Sequence, residues 1–282
     1  MIPRYGDPMV ITRDLRLPDG RDLRIHDTGD GGTALVWHHG TPQTGALYEP
    51  LLGLARERGI RLVSYARPGY GGSTPQPGRA VGSAGPDMAQ AADVLGIERF
   101  AVMGSSSGGS HALACAALLP DRVTAVVGFA AIAPFDGDDS WFDGMVDDSA
   151  LRAATAGRDA RMRHAEQSEF DPATFTDADF AALAGTWAAM GVDAGTADRA
   201  GPDGQVDDDV ALVNPWGADL AAVDAAVLLV QGEQDRVAPL THALQLTREL
   251  PQSELWLRPD DGHISVLDAC PQAMDWLLQV TR

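Results

Sequence analysis

Two hydrophobic periodicities alternate along most of the chain. Short apolar runs of strand length, Ala34 to Trp37, Ile60 to Tyr65, Arg99 to Met103 and Val123 to Phe129, are separated by stretches with helical spacing near Leu47 to Arg58, Pro86 to Leu95 and Ser110 to Leu119. This alternation predicts a mostly parallel sheet wrapped by helices. Ahead of it, the mixed runs Met9 to Leu17 and Arg21 to Asp27 flank Pro18-Asp19-Gly20, a turn signal that predicts a leading β-hairpin. After Pro134 the pattern breaks, and as far as about Leu220 the sequence is rich in Asp and Ala, with helical spacing, few β-branched residues and several Gly breaks. We assign residues 134–220 as a helical cap inserted into a core formed by 1–133 and 221–282. The core pattern resumes with the buried-type run Val227 to Gln231, a helix over Leu240 to Leu250, the alternating strand Glu254 to Arg258 and a helical pattern from Ile264 onward.

Candidate chemistry sits where strands end. Ala101 to Gly109 reads as an apolar strand running through Gly104-Ser105-Ser106-Ser107-Gly108 into a helix. A turn this tight needs residues without bulky side chains two before and two after its apex, and it holds Ser106 out above the sheet as a candidate nucleophile. A serine hydroxyl near neutral pH needs a base, an acid to orient that base, and donors for the developing oxyanion. In a wound parallel sheet such groups belong in loops at the carboxyl ends of strands. Asp235, in the loop after Val227 to Gln231, is the expected acid, with Asp136, Asp138 and Asp139 as alternatives in the loop after the sixth strand. His263, after Glu254 to Arg258, is the expected base; His39, His111 and His242 compete less well because they fall in a turn or within helical patterns. The turn His39-Gly40-Thr41-Pro42 after the third run allows the backbone N–H of Thr41, joined by that of Ser107, to face a carbonyl oxygen.

Four landmarks in sequence order carry a resemblance that covers nearly the whole chain: His39-Gly40-Thr41-Pro42, Arg67-Pro68-Gly69-Tyr70-Gly71-Gly72-Ser73, Gly104 to Gly109, and Gly232-x-x-Asp235 with Asp261-Gly262-His263. Together they resemble an α/β-hydrolase fold enzyme with a cap domain. One departure is Ala66, where members often carry an acidic residue. The resemblance implies an eight-stranded, mostly parallel sheet flanked by helices, and the order Ser106, Asp235, His263 is the one this fold uses. It further implies a serine hydrolase acting on a carboxylic ester or lactone through an acyl-enzyme. A bulky aromatic lactone such as zearalenone is included, because the chain also resembles mycotoxin lactonases. Carbon–carbon bond hydrolases and perhydrolases share the triad and remain alternatives, as does a ligand-binding receptor on the same scaffold. Epoxide hydrolases and haloalkane dehalogenases attack with aspartate where this chain has Ser106, and Gly40-Thr41-Pro42 departs from the Gly-Gly-Pro-Gly run of proline iminopeptidase-like members.

Composition narrows the setting. The 282 residues, 45% of them hydrophobic, suffice for one sizeable α/β domain plus an insertion. A net charge of −19 argues against nucleic acid and anionic membranes as partners. All 21 basic residues are arginine, so no lysine is present for a P-loop or a Schiff base, and no Gly-x-Gly-x-x-Gly follows the first strand; no cofactor is expected. The two cysteines, Cys115 and Cys270, are expected to be buried thiols, with no metal site. Without a signal-peptide core in residues 1–7 or a long apolar span, a cytoplasmic protein is expected, with a small ester or lactone as its partner and a homodimer left open. The insertion holds 19 Asp and Glu against 5 Arg. That acidity is read as a solvated surface, or alternatively as a lid that disfavours anionic substrates. Trp141, Phe142, Met145, Phe175, Phe180, Trp187, Met190 and Trp216 of the insertion are candidates for an apolar pocket above Ser106, most of them read as its own core and two or three as substrate contacts. The set expected to line the pocket is His39, Trp141, Met145, Trp187, Met190 and Trp216.

Overall fold

The structure, a computed structural model, describes residues 10–29 and 31–281. Met9, the first residue of the expected hairpin run, and the N-terminal segment 1–7 lie outside the described residues. Eight strands form one sheet in the order β1-β2-β4-β3-β5-β6-β7-β8. β1 (Ile11–Arg16) and β2 (Asp22–Asp27) are the expected hairpin, paired antiparallel from Ile11 opposite Asp27 to Arg16 opposite Asp22. β2 also runs antiparallel to β4 (Arg61–Tyr65), whereas β4, β3 (Ala34–His38), β5 (Phe100–Ser105), β6 (Val123–Phe129), β7 (Ala226–Gly232) and β8 (Ser253–Arg258) are mutually parallel.

The inner strands are buried on both faces, which is why they read as continuous apolar runs. Successive side chains point to opposite faces: Val36, Val63 and Val102 join one core cluster, while Leu35, Trp37, Leu62, Ala101 and Met103 join the other. α2 (Ala84–Val94), α3 (Ser107–Leu118) and α9 (Leu240–Glu249) cover the first face; α1 (Leu51–Glu57) and α10 (Cys270–Val280) cover the second. The first helix starts at Leu51 rather than Leu47 because Pro50 disfavours helical backbone at the residue before it. The third starts at Ser107, three residues earlier than its spacing suggested, directly after the turn at Ser106.

Between β6 and β7 the chain makes five further helices, α4 (Ser149–Thr155), α5 (Arg158–Ala165), α6 (Asp177–Ala184), α7 (Ala188–Arg199) and α8 (Asp203–Leu212). They lie over the carboxyl ends of the strands and reach both faces, with Ala211 and Leu212 of α8 in one core cluster and Ala182 and Met190 of α6 and α7 in the other. After β3 the chain adds β4 on one side and then returns to place β5 on the other. A crevice opens at such a reversal of strand order, and the loops leaving β3 and β5 flank it. No helix of the described residues is long and apolar enough to cross a membrane.

Candidate active site

Ser106 occupies the sharp turn between β5 and α3 with φ 56° and ψ −131°. Only Ala130 shares a positive φ among the described non-glycine residues. A backbone in such a region costs about 1–3 kcal/mol and persists only where its surroundings over-determine it. Here the Ser106 N–H donates to the Phe129 carbonyl at 2.8 Å, and the Ser106 carbonyl accepts from Gly109 N–H at 2.9 Å. The flanking glycines are a steric requirement: a Cβ at Gly104 would stand 2.4 Å from the Gly108 carbonyl oxygen, and one at Gly108 would stand 2.1 Å from that of His38. Ser106 itself is half-buried and faces a cavity.

His263 follows β8 and reaches back to the loop after β7, where its Nδ1–H donates to Asp235 Oδ2 at 2.8 Å. The other Asp235 oxygen accepts from the backbone N–H groups of Val237 (2.8 Å) and Ala238 (2.9 Å), which fixes the carboxylate before it meets the ring. Burial alone would pull the imidazole pKa down, but Asp235, joined by Asp179 of α6, outweighs it and raises the value above the ordinary one for histidine. The other buried histidines go the opposite way. Burial pushes His111 down to about 3 and His242 to about 4, and holds His39 well below its ordinary value. Both His39 nitrogens are engaged, Nδ1 with the Gly40 carbonyl (2.7 Å) and Nε2 with the Arg67 N–H (3.1 Å). His263 is thus the histidine whose pKa is raised, and it lines the same cavity as Ser106. Asp136, Asp138 and Asp139 are exposed, and Asp139 pairs with Arg152.

The turn after β3 is held from beneath by buried charge. Arg67 donates to the His39 carbonyl, to the Gly40 carbonyl at 3.3 Å, and to the hydroxyls of Thr41 (3.1 Å) and Ser107 (3.2 Å). Its counter-ion is Asp208 of α8, which accepts from Arg67 Nη2 (2.7 Å), Arg79 Nη1 (2.7 Å), the Tyr70 hydroxyl (2.9 Å) and the Thr41 hydroxyl. Burial opposes the charge on Asp208, but Arg67 and Arg79 keep its carboxyl well below the ordinary range. Thr41 Oγ1 in turn accepts from Ser107 Oγ at 2.8 Å, so the two residues whose amides could receive an oxyanion are tied side chain to side chain. As the first residue of α3, Ser107 has an amide with no intrahelical acceptor.

The cavity above Ser106 has a volume of about 710 Å³, within the range of small-molecule sites. Gly40, Thr41, Ser106 and His263 form its floor, and Phe175, Leu183 and Met190 from the insertion give it apolar surface. Phe175 also lies parallel to the His263 ring at 6.5 Å between centroids. The exposed carboxylates of Asp147, Glu169, Asp171 and Asp198 line it too, against a single guanidinium, that of Arg161. Among the described residues no group of three or more His, Cys, Asp or Glu side chains could hold a metal ion.

The model of the alpha/beta hydrolase fold family matches residues 33–269. The chain belongs to that family. This alpha/beta hydrolase is 25% identical over 261 residues to a 2-hydroxy-6-oxononadienedioate/2-hydroxy-6-oxononatrienedioate hydrolase of Comamonas testosteroni, covering 86% of this chain and 85% of the relative. Among solved structures it is similar to a thermophilic esterase from Thermogutta terrifontis, with a TM-score of 0.72 and 21% identity over 97% of this chain and 100% of that one. It is also similar to the enol-lactonase from Burkholderia xenovorans LB400, with a TM-score of 0.69 and 17% identity over 95% and 99% of the two chains.

In this hydrolase, five of the six side chains expected above Ser106 lie elsewhere, and only Met190 lines the cavity. Trp141 packs edge-on against Phe135, Phe142 and His242, its Nε1 donating to the Ala133 carbonyl. Trp187 is 1% exposed and donates to Asp268. Trp216 is buried in the core, Met145 packs against that same cluster, and His39 is locked into its turn. The three tryptophans bury most of their area in the packed core, and the cavity wall is left to Phe175 and to small residues such as Gly191 and Ala194. Asp208, Arg79 and Asp179 escaped notice as site residues. The signal for Asp208 was available: it precedes the apolar Ala211 and Leu212 by three and four positions, which places it on the inward face of α8.

Proposed function

We propose that the protein hydrolyses a carboxylic ester or lactone of an uncharged, largely apolar small molecule through an acyl-enzyme on Ser106. The observation that carries this reading is the convergence of a strained, cavity-facing Ser106 and a buried His263–Asp235 pair on one cavity. His263 Nε2 takes the hydroxyl proton as Ser106 Oγ adds to the carbonyl carbon, while Asp235 steadies the imidazolium through Nδ1–H. The Thr41 and Ser107 amides receive the oxyanion. Collapse of the tetrahedral adduct breaks the bond to the leaving oxygen, which takes the proton from His263. Water, deprotonated by His263, then releases the acid and restores Ser106. Residues 134–220 serve as the cap that roofs the reaction.

A carbon–carbon bond hydrolase is the second reading, favoured by the Comamonas relative. The substrates in that relative's name are dicarboxylates, and the cavity lining here carries four carboxylates against one guanidinium, an unfavourable field for a dianion. The test is a panel of p-nitrophenyl esters, lactones including zearalenone, and vinylogous diketones, combined with fluorophosphonate labelling. Wild type should turn over esters or lactones and be labelled at Ser106, and Ser106→Ala should lower turnover by several orders of magnitude. Labelling without sustained release would point to a binding protein, and full activity of Ser106→Ala would refute the assignment.

A further inference from the structure

The residues around His263 include one group that the reaction outlined above does not use. Asp179 is the third residue of α6 and is 1% exposed. Its Oδ2 accepts from the backbone N–H and the hydroxyl of Thr176, both at 2.9 Å, and so closes the capping box of its own helix. Its Oδ1 does something a capping residue does not require. It accepts from the N–H of Ile264 (2.8 Å), the N–H of Ser265 (2.9 Å) and the Ser265 hydroxyl (3.0 Å), the first groups of the chain after His263. One carboxylate thus satisfies the start of α6 and the start of the turn that follows His263. The approach is close enough to dictate sequence: a Cβ at Gly262 would stand 2.2 Å from Asp179 Oδ2.

The same short segment passes beside the ring. Phe175, four residues earlier, lies parallel to the imidazole. Asp235 holds the ring through Nδ1, but it cannot fix the backbone from which the ring hangs, and that task falls to Asp179. We infer that Asp179 is a positioning residue of the inserted helices, which sets the backbone of the His263 loop and so makes placement of the base depend on α6 being seated. The inference rests on His263 acting as the base. The charged groups acting on the imidazole are Asp235 from the β7–α9 loop and Asp179 from α6; Asp261 on the adjoining turn is occupied by Arg258 at 2.7 Å.

The test uses the full-length chain in three variants: Asp179→Asn, which keeps the shape and removes the charge, Asp179→Ala, and Ser265→Ala, which deletes one donor and leaves the carboxylate. Rates are expressed per fluorophosphonate-labelled site, so that a smaller folded fraction does not imitate a slower enzyme, and the His263 imidazole is titrated separately by NMR. Both Asp179 variants should lower kcat, Asp179→Ala by roughly 10- to 100-fold, with KM changed by no more than about twofold. The His263 titration midpoint should move to lower pH in Asp179→Asn, because a carboxylate that favours the imidazolium is gone. Ser265→Ala should lower kcat a few-fold, and it decides the question if neither Asp179 variant folds. Wild-type kcat per labelled site in Asp179→Asn or Ser265→Ala overturns the inference, as does a lowered kcat in Asp179→Asn with an unmoved His263 midpoint. If wild type cleaves no ester, the reading of the reaction fails while the titration still reports whether Asp179 acts on His263.

Discussion

Asp208→Asn isolates the electrostatic support of the proposed oxyanion turn, because asparagine keeps the size of the side chain and removes only its charge. In the native protein the carboxylate is completely buried and answers two guanidiniums, Arg67 and Arg79, each also buried. The variant removes the one carboxylate that bonds both cations directly, close to the situation that costs about 3–5 kcal/mol when one partner of a buried pair is deleted. With an unfolding entropy of roughly 2 cal/mol/K per residue, a chain this long should then melt roughly 5–8 °C lower. The effect should reach the reaction as well, since Asp208 accepts from Thr41 and holds the Arg67 that bonds the His39 and Gly40 carbonyls. A displaced Thr41 amide should lower kcat on a p-nitrophenyl ester by roughly 10- to 100-fold. Adding Arg79→Met should restore part of the stability, because one unmatched cation is removed. The folded carboxyl is held well below its ordinary value, so its contribution stays intact at neutral and mildly acidic pH and is lost only as the pH falls through that low value. Melting within about 1 °C of wild type would refute the energetic argument; normal kcat with a lowered melting point would refute the link to the oxyanion turn.

In the proposed reaction His263 must be neutral to accept the Ser106 proton, and Asp235 and Asp179 raise its pKa against the pull of burial. The acidic limb of kcat/KM should therefore lie above the ordinary histidine value of about 6.5, and Asp235→Asn should move it to lower pH; a wild-type limb at or below that value would contradict the site. The same raised pKa gives a contribution to stability that is full below the unfolded value of about 6.5 and disappears as the pH rises through the folded one, which thermal melts across that window should show. The carboxylates of Asp147, Glu169, Asp171 and Asp198 along the cavity should raise KM for p-nitrophenyl hemisuccinate above that for the neutral butyrate ester. That gap should narrow with added salt, and equal KM values at low salt would show that these charges do not reach the substrate.

What could be read from the letters was what backbone geometry and periodicity control. The strand runs from Ala34 to Phe129 and the Ser106 turn were legible because burial on both faces of the sheet and the Gly104–Gly108 approach leave few residue types at those positions. The contact between Asp235 and His263 spans 28 positions; the landmark Gly232-x-x-Asp235 favours Asp235 over Asp136 or Asp138, but periodicity does not, and the folded loops bring Asp235 to the ring. The pocket was the least legible part. Helical spacing reveals that Trp187 turns one face inward, but it does not say whether that face meets a cavity or the α10 side of the sheet, and Trp187 met the second.

The acidity of the insertion has the same lesson in reverse. As a whole it reads as a solvated surface, yet Asp179, Asp207, Asp208 and Asp209 are buried, and each has donors of its own. Asp207 takes Arg158 and Asp209 takes Arg161, both at 2.7 Å, which ties α5 to α8, while Asp208 and Asp179 tie the insertion to the two halves of the proposed catalytic machinery. An all-arginine set of cations suits this arrangement. Arg67 serves acceptors on His39, Gly40, Thr41, Ser107 and Asp208 with one planar group, a task beyond the three donors of a lysine. The carboxylates that secure α6 and α8 over the sheet are therefore the ones that accept from the proposed oxyanion turn and from the His263 loop. At these positions stability and turnover should fall together, whereas the exposed carboxylates of the same helices should affect neither the fold nor the geometry of Ser106.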